Sequence, residues 1–336
     1  MIHPVSPCRR ANILEKFTQG YRVNILVTGG TGFIGQALVP KLVEAGHQVR
    51  LLIRPAKRTP RVPKGVAVQI AVSSVTDARG LRSAMTGMEI VVHLAGVERQ
   101  GAYADIMRID IEGTRLVAQV AKESGIERLV FVSHLGADRF SAFPVSKAKG
   151  LAEEAIRSTG INYTIFRSGV VFGKGDVLTS GIAQLLVAIP FIFFVPGDGR
   201  SLLQPIWVED LATVITWAID DPQTLNQIYE VGGPEMLSFC EVVQTVMEVM
   251  GKRHRFFYLP PPLLRGLTVF LETSLPRSPV SVFWLDYLAV NRTCSIDTLP
   301  RLFHLKPSRL SQRLDYLNTT NWRRVLGQQL RWRGEA

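Results

Sequence analysis

Short apolar runs alternate with helix-period segments over the first half of the chain. Residues 25–27 form an apolar run closed by glycines, the pattern of a strand buried on both faces, and 33–43 then shift to helical spacing that Gly46 ends. Pro40 falls inside that helix, where an interior proline can cost ~3 kcal/mol, so a kink is expected. Strands over 48–53 and 66–71, a helix over 78–85 and the apolar run 90–96 continue the alternation. A long helix over 106–124 carries Ile109, Leu116, Val117, Val120 and Ala121 on one face, and Gly125 stops it. A strand over 129–133, a loop over 135–144, a helix over 146–158 and a strand over 163–167 follow. This order predicts an α/β fold built on a doubly wound parallel sheet.

The junction between the first strand and helix carries candidate chemistry. Gly30, Gly32 and Gly35 satisfy Gly-x-Gly-x-x-Gly, and Thr28, Gly29, Gly32 and Gly35 satisfy Thr-Gly-x-x-Gly-x-x-Gly. A dinucleotide pyrophosphate must touch backbone N–H groups at a helix N-terminus, and a Cβ in the turn would hold it off. Gly29, Gly30, Thr31, Gly32, Phe33, Ile34 and Gly35 are therefore read as cofactor-binding, and the sheet as a Rossmann sheet. An acid that would bond an NAD ribose belongs about 20 residues past the first glycine, but no Asp or Glu lies between Glu44 and Asp77. Arg54 stands there, with Lys57 and Arg58 close by, and an arginine suits a 2′-phosphate, so NADP(H) is expected over NAD(H). Leu94, Ala95 and Gly96 end the fourth strand where a cofactor ribose would pass, and His93 before them reads as a core histidine.

The second half reads as a smaller lobe for a substrate or partner. The division expected is a lead-in over 1–21, a dinucleotide-binding core over 22–175, a lobe over 176–317 whose segment 205–233 returns to the core, and a basic tail over 318–336. The run 182–196 is very apolar but holds Gln184 and Pro190 and is too short to span a bilayer. Asp210 is expected to cap the helix that follows it, and Ser238 with Glu241 has capping-box spacing. An amphipathic stretch over 263–271 and apolar residues over 282–290 suggest packing, a partner-facing surface or a membrane-facing one.

At 336 residues, 46% hydrophobic and 20% charged, the composition is that of a globular protein. Cys8, Cys240 and Cys294 lie far apart, which indicates neither a disulfide framework nor a zinc site. Residues 1–22 lack an apolar core of secretory length, so the expected location is cytoplasmic, peripheral to a membrane at most. The net charge of +11 gathers in two groups: Arg50 to Lys64, and a tail of Arg301, Lys306, Arg309, Arg313, Arg323, Arg324, Arg331 and Arg333. A protein partner or an anionic membrane surface at the C-terminal region accounts for such a tail; nucleic acid is disfavoured, because no recognition-helix pattern accompanies it.

Thr28-Gly-Gly-Thr-Gly-Phe-Ile-Gly35, His93-Leu-Ala-Gly96, Glu112-Gly-Thr114, Ser133 at a strand end and Lys147 opening a helix together resemble the short-chain dehydrogenase/reductase superfamily. Phe166-Arg-Ser-Gly-Val-Val-Phe-Gly173, Pro205-Ile-Trp-Val-Glu-Asp210 and Tyr229-Glu-Val-Gly-Gly-Pro234 resemble landmarks of its extended and atypical branches. The resemblance spans about 22–317 and implies a Tyr-x-x-x-Lys pair, in which the lysine lowers the phenol pKa and binds the nicotinamide ribose. That spacing falls on Phe143 and Lys147, and phenylalanine has no proton to give, a loss of ~10² to 10⁴ in rate for ordinary alcohol-to-ketone chemistry. Lys147 is then expected to hold the ribose, with Ser133 and His134 in residual roles.

Ser133-His134-Leu135-Gly136-Ala137 is most similar to the nucleotide-binding accessory subunit of respiratory complex I, and photosystem assembly factors and NmrA-like regulators are also similar. The expected function is thus a cofactor-holding accessory or assembly protein. The alternatives are an NADPH-dependent reductase of a hydrophobic ketone, enone or quinone with another proton source, and a redox-sensing regulator.

Overall fold

The computed structural model describes residues 22–56, 60–97, 105–274 and 281–331. The lead-in with Cys8, together with Lys57, Arg58, Trp332 and Arg333, lies outside them. Seven parallel strands make the central sheet: β1 Asn24–Thr28, β2 Gln48–Ile53, β3 Gln69–Val72, β4 Ile90–His93, β5 Arg128–His134, β6 Tyr163–Ser168 and, after the small-lobe strand β7 Ile192–Pro196, β8 Gln227–Val231. Their spatial order is β8-β6-β5-β4-β1-β2-β3. The order reverses between β1 and β4, and Thr28 is level with Leu52 on one side and His93 on the other, so three carboxyl ends meet at the switch point where such sheets bind ligands.

Helices cover both faces. On one, α1 Phe33–Glu44 packs against Ile25 and Val27; on the other, α2 Ala78–Met85, α3 Thr114–Glu123 and α4 Pro144–Ser158 pack against Leu26. Both side-chain sets of β1 are buried, which is why its sequence shows an unbroken apolar run rather than alternation. α1 runs through Pro40 without a break. β3 is mostly exposed, as an edge strand should be. The helix expected over 106–124 differs in kind: Met107–Gly113 is a π-helical turn, and regular α-helix begins only at Thr114. That wider turn faces the site described below.

Further helices include α5 Leu178–Ala188, α6 Val208–Asp220, α7 Phe239–Val249, α8 Pro261–Ser274, α9 Val282–Tyr287 and α10 Trp322–Arg331. With β7 and its parallel partner β9 Arg255–Leu259, α5 and α7 enclose a second core of Phe172, Ile182, Phe193, Val243 and Val246. In between, the chain returns to the sheet: α6 packs beside α1 through Leu211 and Ile215, and β8 pairs with β6. Ser238 and Glu241 form their capping box on α7. Asp210 is not a cap, since α6 starts two residues earlier; its carboxylate accepts from the Ser308 N–H at 2.7 Å and ties a later segment down.

A residue the sequence pattern hid fastens this return. Arg128, at the start of β5, is fully buried; its guanidinium donates to the Ala218 carbonyl at 2.7 Å and the Ile219 carbonyl at 3.3 Å, and to the hydroxyls of Thr164 and Thr224. It satisfies carbonyls that the C-terminus of α6 leaves open. Burial lowers the Arg128 pKa, and Asp221 opposes that shift. Arg128→Met is expected to lower the unfolding free energy by about 3 kcal/mol, read by urea denaturation, because it removes the donor to the buried Ile219 carbonyl and breaks the bonds to Ala218, Thr164 and Thr224 together.

Candidate cofactor site

β1 ends at Thr28, and the chain turns through Gly29 at φ +72°. A Cβ on Gly29 would lie 2.7 Å from the backbone of Leu94 and Ala95, and one on Gly35 would lie 2.5 Å from the backbone of Gly30. Glycine is required at both because backbone meets backbone there. Gly30 packs on Leu51 of β2. Gly32 differs: it is exposed, and a Cβ there would meet only the Gly29 carbonyl, at 3.1 Å. It is the N-cap of α1 but supplies no side-chain bond, and no acid occupies the first turn. The N–H groups of that turn, flanked by half-buried Thr31, Phe33 and Ile34, are therefore open to an anion, and the donor set fits a pyrophosphate.

Thr28 also anchors the switch point sideways. Its hydroxyl lies 2.6 Å from His93 Nδ1, and His93 Nε2 lies 3.0 Å from the Thr114 hydroxyl. Burial, with Lys149 adding to it, pushes the His93 pKa down to about 3. His93 is thus a neutral core residue stacked on Phe131 at 5.7 Å. Just past it, the Leu94 N–H donates to the Thr28 carbonyl at 3.0 Å, and Ala95 and Gly96 run outward along the cleft rim. Arg54 is exposed immediately after β2, beyond the glycine turn on the opposite side of β1.

At the other end of the cleft lies a cavity of ≈ 60 Å³ bounded by Ile34, Leu94, Ser133, His134, Lys149 and Tyr287, among others. Ser133 Oγ is buried and has no hydrogen-bond partner among the described residues. His134 Nδ1 lies 2.9 Å from the Leu135 carbonyl. Lys149, on α4, is buried with its ammonium 3.4 Å from Asp110 Oδ1 and 5.5 Å from the Phe131 ring centre. Asp110 belongs to the π-helical turn, and its other oxygen accepts from the Val97 N–H at 3.0 Å. The pair fixes a cation at the floor of the cavity.

On α4 the structure brings to this cavity a different lysine from the one the Tyr-x-x-x-Lys spacing pointed to. Lys147 is exposed, and Phe143 is the half-buried N-cap residue, outside the helix proper. Lys149 lines the cavity, and one helical turn before it on α4 stands Val145, which is buried against the core of the second lobe. Val145, Ala148, Ala152 and Ile156 mark the buried stripe, and residue 149 falls on it while 147 does not. The sequence held that signal, but the Lys-Ala-Lys run admits two registers, and the helix start alone points to Lys147. Like Phe143, Val145 has no proton to give.

The opposite wall, which sequence reasoning missed, comes from the second lobe. Tyr287, at the end of α9, packs edge-on to His134 at 5.9 Å. Arg292 lies 4.1 Å over the Tyr287 ring and donates to the Leu135 carbonyl, the Tyr287 carbonyl at 3.0 Å and the Ser146 hydroxyl at 3.1 Å. Neither residue stands near 133–149 in sequence, so only the fold brings them in.

A family model for NAD(P)H-binding domains matches residues 29–180, which contain this whole cleft except its C-terminal wall. Subunit 9 of the NADH dehydrogenase [ubiquinone] 1 alpha subcomplex from Arabidopsis thaliana is 29% identical over 274 residues, covering 78% of this chain and 68% of its own. The chain is an NAD(P)-binding protein that resembles the atypical short-chain dehydrogenase/reductases. The chain is also 29% identical over 266 residues to the ceramide reductase of Caulobacter vibrioides, covering 78% of this chain and 81% of that one. Among solved structures, the UDP-glucose 4-epimerase of Thermus thermophilus in complex with NAD matches with a TM-score of 0.59 at 26% identity, over 70% of this chain and 86% of the epimerase.

Two outcomes follow for the dehydrogenase fold. Gly32→Val keeps the melting temperature of the free protein within a few degrees but weakens NADPH binding about 100-fold or more by calorimetry, since its side chain points where the phosphates must come. His93 stays neutral in the fold while the unfolded residue protonates near its ordinary 6.5, so its contribution is full above that pH and is lost as pH falls toward about 3. Urea unfolding should show up to about 1.4 kcal/mol less stability per pH unit over that window, and His93→Gln should flatten the slope.

Proposed function

We propose that the protein holds NADP(H) as a bound, structure-supporting nucleotide and acts as an accessory or assembly protein of the complex I subunit type. The observation that carries this reading is Val145: the helical position one turn before the buried Lys149 is hydrocarbon, so α4 offers no phenol to the reacting carbon. When bound, the nicotinamide supplies a hydride donor or acceptor. Lys149, held by Asp110, binds the nicotinamide ribose, Ser133 orients the ring, and the first turn of α1 takes the pyrophosphate. Arg54 is assigned to the 2′-phosphate, which favours NADP(H) over NAD(H). A nucleotide present at 100 times its Kd stabilises the fold by about 2.7 kcal/mol without any turnover. A protein partner docks on the C-terminal lobe and the basic tail.

One observation favours a second reading, reduction of a hydrophobic ketone, enone or quinone. Tyr287 bounds the same cavity as Lys149 and His134, and a phenol delivered from the lobe would replace the one missing from α4.

The decisive assay loads the protein with NADPH and follows its oxidation against ketones, enones and quinones. The accessory reading predicts no turnover by wild type and measurable turnover by Val145→Tyr. Turnover by wild type that Tyr287→Phe abolishes establishes the reductase reading instead. Arg54→Ala is expected to weaken NADPH binding by about 10- to 100-fold and leave NADH binding unchanged.

A further inference from the structure

The second lobe contains a chamber that the cofactor site does not use. It measures ≈ 160 Å³ and is walled by α5, β7, α8 and α9; among the described residues that line it only Thr268 and Ser281 are polar. Trp284 of α9 lines both this chamber and the cavity at Lys149. At its mouth, Val177, Ile192 and Leu267 line the chamber and are also exposed.

The surface around that mouth is apolar. α8 buries Thr268 and Glu272 inward while Leu263 (63% exposed), Leu267 and Phe270 (65% exposed) recur along its outer face at helical spacing. Phe191 and, on β9, Phe257 and Tyr258 extend the exposed apolar area. Cations border it: Arg255 pairs in register with Ile192 at the mouth, and Lys252 and Arg253, both exposed, precede it. An amphipathic helix with a cationic margin beside an apolar opening is the arrangement that lies in the plane of an anionic bilayer.

We propose that α8 and β9 dock this protein on an anionic membrane surface and that the chamber receives one hydrocarbon chain of a bilayer lipid through the mouth at Val177, Ile192 and Leu267. A peptide is a poorer occupant, because its backbone N–H and C=O groups would find only two hydroxyls along the wall. Each methylene that enters strengthens binding about fourfold, the transfer value for one CH₂. The site stands apart from the cofactor reading, since neither the glycine turn nor Lys149 contributes to it.

The test uses the full chain and vesicles of phosphatidylcholine with or without phosphatidylglycerol. Co-sedimentation is expected with the anionic vesicles, at least tenfold weaker on neutral vesicles and weakened by salt. Leu267→Glu with Phe270→Glu, both at exposed positions, should abolish it while leaving NADPH affinity and melting temperature in place. Lipids brominated along their chains should quench tryptophan emission, and Trp284→Phe should remove most of that quenching. Equal binding to neutral vesicles, binding that survives the double replacement, or binding without quenching that depends on Trp284 overturns the proposal, as does failure to bind vesicles at all.

Discussion

Three backbones approach without side chains between them at the carboxyl edge of the sheet, and the rest of the molecule is arranged to keep them there. Gly29 lies against Leu94 and Ala95, and Gly35 against Gly30, at separations that admit no Cβ. The contact leaves the first turn of α1 bare of caps and acids, with its N–H groups facing the cleft. Thr28, His93 and Thr114 lock β1, β4 and α3 in one hydrogen-bonded line beneath it. The histidine in that line must stay neutral, and full burial sees to this.

The other end of the cleft depends on a buried charge pair. Asp110 reaches Lys149 from a π-helical turn, the kind of irregularity that recurs at functional sites because it re-aims a side chain an α-helix would present elsewhere. The pair holds Lys149 at the cavity, one helical turn after the buried Val145. The second lobe closes the cavity from the far side with Tyr287, held under Arg292, which is itself bonded to Leu135 and Ser146 of the core. Cofactor cleft and lobe are in this way one packed unit at that point.

Much of this was legible in the chain. Apolar runs and glycine stops located the β-α alternation because buried parallel strands and amphipathic helices leave different periods. The glycine turn could be assigned because its chemistry needs glycine at fixed spacing. What stayed hidden has physical reasons too. The two lysines at 147 and 149 sit two residues apart near a helix start, and only packing decides which faces the sheet. The π-turn leaves no period of its own in 107–113, and Arg128 looks like any strand-end cation until α6 returns above it. Asp210 looked like a cap but bonds Ser308, almost a hundred residues later, a contact no local pattern encodes. Tyr287 and Arg292 belong to the same class of long-range surprise.

The register of α4 decides which lysine meets the nucleotide, and calorimetric titration of NADPH into Lys149→Met and Lys147→Met side by side tests it most directly, with the melting temperature of each free variant as a control for folding. Lys149→Met is expected to weaken NADPH binding tenfold or more, while Lys147→Met binds as wild type does. Loss of affinity in Lys147→Met with Lys149→Met unaffected would contradict that register.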